Sequence, residues 1–167
     1  SYNPLQAVGG DFYDFHEKDD RHFGLLIADV TGHGVAAALD SSTVKIAFRQ
    51  ERIEMESPGN LLANMNFFLK EFVEYRFVSA IYAYFDLDSM IVKFASAGHP
   101  PAMLLRQGKA RPLQLEGMLL GVFGESIYDT TELALEPGDR LLFYTDGLIE
   151  QLDLEGGDLR ILGEFAE

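Results

Sequence analysis

Hydrophobic and polar positions along the chain change texture twice. Gln6 to Phe15 and Phe23 to Val30 are short apolar runs bounded by charge. That pattern predicts two hairpin strands joined by the charged turn His16 to His22. From Gly34 the period lengthens. Val35, Leu39, Ile46 and Ile53 fall at roughly helical spacing, and Ala36 to Ala38 permit close packing. Ser57-Pro58 supplies an N-cap and then proline at the first helical position. Beyond it, Leu61, Met65, Phe68 and Phe72 form one stripe, widened by Leu62, Leu69 and Val73. The spacing predicts helices over about 31–55 and 58–75.

After Arg76 the texture turns to β. Val78 to Phe85, Met90 to Ser96, Ala102 to Arg106, Arg111 to Leu115, Thr130 to Leu135 and Arg140 to Thr145 are short apolar or alternating runs. Asp86-Leu87-Asp88-Ser89, Gln107-Gly108-Lys109 and Glu136-Pro137-Gly138-Asp139 separate them with turn chemistry. Two strands, two helices and six strands lack the regular alternation of a doubly wound parallel sheet. The expectation is an α+β fold, a mainly antiparallel sheet system with a helix pair on one face.

Composition narrows the function classes. At 167 residues, 47% of them hydrophobic, the chain is about one globular domain, read as 1–167 without an internal boundary. It starts at Ser1 without a methionine, so the expectation is a domain excised from a longer regulatory protein, whose other parts could include a sensor or a membrane anchor. No apolar run approaches the roughly 18 residues of a membrane span. Cysteine is absent, which excludes disulfides, thiolate metal sites and cysteine nucleophiles, and fits a cytoplasmic protein. A formal charge of −14 argues against a nucleic-acid partner. An acidic surface alone is a solubility device; it carries chemistry only where carboxylates converge.

Two local patterns are decoys. Gly32-His33-Gly34-Val35-Ala36-Ala37 matches a dinucleotide fingerprint, yet two helices follow where a second parallel strand is required, and Asp29 would repel a pyrophosphate. Asp86-Leu87-Asp88-Ser89-Met90 resembles an aspartyl-nucleophile motif but reads better as a β-turn. The stronger signal is three aspartates at strand exits. Asp11 follows Gly9-Gly10, Asp29 ends GLLIAD, and Asp146 ends RLLFYTD before Gly147. Paired strands could bring such exits together, and clustered oxygen ligands suit hard divalent cations. Asp29 beside the glycines then serves a cation rather than repelling an anion.

At these residues the chain resembles the metal-dependent protein serine/threonine phosphatases of type 2C, in the bacterial branch named for stage II sporulation protein E. The stretches that carry the likeness are VGGDFYDF (8–15), IADVTGHGVAAAL (27–39), FVSAIYAYFDLDS (77–89), ASAGHPPAMLLR (95–106), LLGVF (119–123) and LEPGDRLLFYTDGLIE (135–150). The resemblance implies an α-β-β-α sandwich of two mainly antiparallel sheets flanked by helices, with two Mn²⁺ or Mg²⁺ ions at one sheet edge in the complete domain. Asp29 matches the bridging ligand, Val30 its backbone-carbonyl neighbour, Asp11 the acidic ligand of the first strand, and Asp146 the T-D-G aspartate. Catalysis would need no protein nucleophile, because metal-bound water attacks phosphorus. The implied substrate is phosphoserine or phosphothreonine on an anti-sigma-factor antagonist-like protein in a partner-switching pathway. An upstream sensor or receiver domain in cis is expected, and a homodimer is left open.

Departures accompany the match. The family pattern ends in a strand with a further metal-binding aspartate, which has no counterpart before Glu167; Asp158 in GGDLR has the wrong context. The C-terminal strand is therefore expected to be missing, and this chain to hold fewer ions than the complete domain. His33 is read first as loop structure and second as a general acid or phosphate contact. His99 in AGHPP is read as a turn histidine rather than a ligand. The alternative function is a catalytically weak phosphatase-like domain that binds phosphoproteins.

Overall fold

The computed structural model describes residues 10–32, 35–72 and 77–148. The strands are β1 (Phe12–Asp19), β2 (His22–Val30), β3 (Val78–Asp86), β4 (Ile91–Ala97), β5 (Met103–Arg106), β6 (Lys109–Pro112), β7 (Thr131–Ala134) and β8 (Arg140–Leu142). The helices α1 (Val35–Gln50) and α2 (Pro58–Phe72) fall between β2 and β3, joined by a 3₁₀ turn at Glu51–Glu54. One sheet has the order β1-β2-β3-β4-β7 and the other β6-β5-β8. Every pairing between these strands is antiparallel. The element order and the two-sheet α+β architecture are as expected, and among the described residues the helices cover one outer face. No helix there is long and apolar enough to cross a membrane.

Strand β3 explains the layering. Ala80, Tyr82 and Tyr84 join the core beneath the helices, with Leu26, Ala28 and Val30 of β2 and Val44, Phe48, Leu61, Leu62, Met65 and Leu69 of the helix pair. Ala83 of β3 joins Val92 and Phe94 of β4 in a second core, where Leu113, Leu133, Leu141 and Phe143 pack between the sheets. Successive strand residues point to opposite faces, so a strand covered on both sides reads as an unbroken apolar run.

Three expectations shift. The β1–β2 turn is Asp20–Arg21 rather than the whole His16–His22 segment. The strand continues because Phe12, Asp14 and His16 share its inward face. Buried Asp14 accepts Arg49 Nε at 2.7 Å and lies 3.7 Å from Lys45 Nζ, while His16 stacks on Phe48 with centroids 3.9 Å apart. Two polar residues on the core face disguised the alternation. Strand β6 starts at Lys109, two residues early, because Gln107 and Gly108, at φ 53° and 71°, make a two-residue turn of the primed kind. Leu39 and Ile46 of α1, and Ile53 in the 3₁₀ turn after it, are exposed, and the buried stripe of α1 is Ala37, Val44, Ala47 and Phe48. Both stripes have helical period; the one with more small residues lets the helix approach the sheet.

Directional bonds tie the layers. Gly24 leaves room for Tyr82, whose hydroxyl would lie 1.9 Å from any Cβ placed there. That hydroxyl donates to the Met55 carbonyl at 2.9 Å and so holds the α1–α2 link to the sheet. Arg106 of β5 donates to both oxygens of Asp139, at 2.9 and 2.6 Å, to Glu136 at 2.7 Å and to the Ala134 carbonyl at 2.8 Å. These bonds clamp the turn by which the chain passes from one sheet to the other.

Two predictions follow from the packing. Arg106→Lys should lower Tm nearly as much as Arg106→Ala, because an ammonium cannot reproduce the fork of donors; thermal melts of both variants test this. Neither ring nitrogen of His16 finds a hydrogen-bond partner among the described residues, and burial pushes its pKa down to about 4. The fold requires the neutral ring, so its contribution is complete above the unfolded value near 6.5 and is lost as pH falls toward 4. His16→Phe should keep the stack and remove up to about 3 kcal/mol of acid sensitivity between those limits. Urea titrations at pH 7.5 and pH 5 would show a smaller difference for the variant than for the parent.

Candidate metal centre

The hairpin register brings two of the three aspartates together. Phe12 pairs with Ala28, and the Val30 amide donates to the Gly10 carbonyl at 3.4 Å. The step between these pairs sets Asp11 opposite Asp29, on the face away from the helices. Like charges directly opposite in a sheet are destabilising; a cation between them reverses the sign. Gly10 is what lets the strands close here. A Cβ on it would lie 2.3 Å from the Val30 carbonyl oxygen and 3.2 Å from Asp29 Oδ1. Ser41 of α1 also reaches this point, its hydroxyl lying 3.0 Å from the Gly10 carbonyl and 2.9 Å from that of Ala37.

The third aspartate arrives from the other sheet. After β8, Thr145 donates its hydroxyl to Asp11 Oδ2 at 2.7 Å, and Asp146 follows immediately. Asp11, Asp29 and Asp146 each offer one carboxylate oxygen, and the three lie within 4.8 Å of one another. The first two are half-buried and Asp146 is exposed, so the cluster opens to solvent. An all-oxygen donor set of this kind fits Mg²⁺ or Mn²⁺, which retain waters in the remaining positions, and suits soft metals poorly.

Behind the cluster is a histidine. His99 is 6% exposed; its Nδ1 lies 2.8 Å from Ser79 Oγ and its Nε2 lies 3.0 Å from the Tyr144 carbonyl. Ser79 is the β3 residue paired with Asp29. Burial pushes the His99 pKa down to about 4, against the opposing pull of the Tyr144 carbonyl, Asp11 and Asp146.

The three aspartates named from strand exits thus converge, with the Val30 backbone beside them. His33 and Asp158 lie outside the described residues. Asp86 and Asp88 fall at the opposite end of β3 from Ser79, about 23 Å away at the rise of a strand. Asp86 Oδ1 accepts the amides of Ser89 and Asp88, both at 3.0 Å, and bonds from the Ser89 amide and hydroxyl, then the Asp88 amide, lower its pKa to about 2. That is turn chemistry, as expected. The glycine pair of the dinucleotide decoy is followed by antiparallel β3 and no parallel crossover. Sequence reading missed Ser79, Thr145 and the tie made by His99. Neither hydroxyl carries a periodic signal, and His99 beside Gly98, at φ 65°, looks like any turn residue.

Comparison with known proteins finds similar chains and a similar fold. A family model described as stage II sporulation protein E (SpoIIE) matches residues 19–164. The phosphoserine phosphatase RsbU of Bacillus subtilis is 31% identical over 150 residues, covering 88% of this chain and 44% of that protein. The phosphoserine phosphatase RsbP of the same organism is 26% identical over 155 residues, covering 89% of this chain and 38% of that protein. The structure of the RsbU and RsbW domains of Rv1364c from Mycobacterium tuberculosis superposes with a TM-score of 0.75 at 29% identity, covering 89% of this chain and 42% of that one. The chain spans less than half the length of these relatives.

Gly10→Ala should push β1 off Val30 and widen the Asp11–Asp29 gap. Calorimetric titration is expected to register Mn²⁺ affinity weaker by about tenfold or more, in the range typical of altered ligand supports. Unchanged affinity in a folded variant would mean that the close approach at Gly10 does not set the ligand spacing.

Proposed function

The chain belongs to the stage II sporulation protein E family, and from that premise we propose that it hydrolyses phosphoserine or phosphothreonine on a regulatory protein. The observation that carries the proposal is the approach of three carboxylate oxygens, from three separate segments and both sheets, to within 4.8 Å. Asp11, Asp29 and Asp146 would hold the cation through their carboxylate oxygens, with Asp29 the central ligand and the Val30 carbonyl beside it. Bound Mn²⁺ or Mg²⁺ would acidify water at neutral pH and neutralise charge building on the phosphoryl oxygens. The residues themselves do the holding. Asp11 is oriented by Thr145, Asp29 sits within paired β-strands, and exposed Asp146 faces the side from which a phosphorylated segment can enter.

The substrate class follows the relatives. RsbU and RsbP are named phosphoserine phosphatases, and the M. tuberculosis chain carries an RsbU-type domain with an RsbW domain. We therefore assign this chain to a partner-switching pathway, with an anti-sigma-factor antagonist-like phosphoprotein as substrate. The relatives' greater length supports a sensor or receiver domain in cis as the regulator. The charge of −14 disfavours nucleic acid as a partner.

Asp29→Asn is expected to reduce Mn²⁺-dependent hydrolysis of p-nitrophenyl phosphate to near background, by about 10²–10³-fold when an electrostatic anchor of the transition state is lost. Asp11→Asn and Asp146→Asn should be severe but retain more Mn²⁺ binding by calorimetry. Parent-like turnover in Asp29→Asn would refute the assignment. Capture of a phosphoprotein without turnover at any Mn²⁺ concentration would instead identify a binding module.

A further inference from the structure

We propose that His99 is a positioning residue that sets the distance between the two sheets at the carboxylate cluster, and thereby the affinity of the site for its cation. The proposal rests on the metal-dependent reading above.

Asp11 and Asp29 sit on the five-stranded sheet, whereas Asp146 is delivered by the segment after β8 of the three-stranded sheet. Between the sheets the packing is apolar, including the Phe94 and Phe143 rings with centroids 6.3 Å apart. Apolar burial is non-directional and fixes no position to a fraction of an ångström. Two of the hydrogen bonds made by the described residues cross at the cluster itself. One is Thr145 to Asp11, which acts on a ligand directly. The other is His99 to the Tyr144 carbonyl, two residues before Asp146.

The ring is held so that it can act as a spacer. The Tyr144 carbonyl only accepts, so Nε2 carries the proton; Nδ1 then accepts the Ser79 hydroxyl, and Ser79 stands opposite Asp29. The chain Asp29–Ser79–His99–Tyr144–Asp146 thus runs from one ligand to another through pairing, two hydrogen bonds and two residues of backbone. The His99 amide lies 3.3 Å from Ser96 Oγ, and Gly98 bridges to Ala80, which keeps the histidine's own backbone on the five-stranded sheet. Only the neutral ring can accept from Ser79 while it donates to Tyr144, and burial favours that form. Neutrality suits the place, because a lysine or arginine tying the sheets here would compete with the cation for the carboxylates.

The test is calorimetric Mn²⁺ titration of the full chain and its variants, with thermal melts in the absence of metal. His99→Ala should weaken Mn²⁺ binding by about tenfold or more while the protein remains folded at the titration temperature. His99→Gln, whose amide nitrogen can reach the position of Nε2 and donate to Tyr144, should recover most of the affinity. His99→Asn, which reaches only the position of Nδ1, should not. Should His99→Ala fail to fold, Ser79→Ala leaves the ring in place but unanchored and should weaken binding in the same direction. A purely structural histidine predicts lower melting temperatures with Mn²⁺ affinity unchanged, and that outcome, in a parent that binds Mn²⁺, overturns the proposal alone. A parent chain that takes up no Mn²⁺ overturns the metal reading and the proposal with it.

Discussion

Three carboxylates brought to within 4.8 Å repel one another, and the architecture around them is organised to hold them there. Repulsion of this kind is relieved by a cation but is present whenever a cation is absent, so the carboxylates must be placed by the fold. Ladder pairing sets Asp11 against Asp29, and a glycine allows the two strands to meet without a Cβ between them. Asp146 comes from another sheet and needs ties of its own, which Thr145 and His99 supply.

The rest of the molecule divides between bulk and direction. Two apolar cores, one beneath the helices and one between the sheets, supply the non-directional driving force for collapse. A small set of polar bonds gives that collapse a single geometry. Tyr82 reaches over Gly24 to the Met55 carbonyl, Arg106 clamps the turn between sheets, and Arg49 meets Asp14 on the inward face of β1. Each joins elements distant in sequence through a directional bond.

Helix α1 occupies a particular place in this arrangement. It begins five residues after Val30, touches the Gly10 carbonyl through Ser41, and is pinned to β1 through Arg49 and Asp14. Its inner stripe of Ala37, Val44, Ala47 and Phe48 is buried, while Leu39 and Ile46 are 65% and 54% exposed. The helix pair is therefore continuous, by covalent and hydrogen-bonded contacts, with the segment that carries Asp11 and Asp29.

Much of this was legible in the chain itself. Among the described residues, apolar runs separated by turn residues located the eight strands, and helical periodicity with the Ser57-Pro58 signal located the two helices, because local propensity and pattern depend on near neighbours. Strand-exit aspartates beside glycine marked the three carboxylates that converge, since clustered oxygens and close backbone approach leave a compositional trace. Other features depended on contacts that only folding creates. Whether Asp14 and His16 face inward was decided by Arg49 and Phe48, more than thirty residues away. Which of two helical stripes on α1 is buried was decided by the sheet beneath it. The roles of Ser79, His99 and Thr145 exist only where β3, the turn after β4 and the segment after β8 meet. A single serine, histidine or threonine has no periodicity to betray it; its chemistry is assigned by the partners that tertiary structure brings within 3 Å.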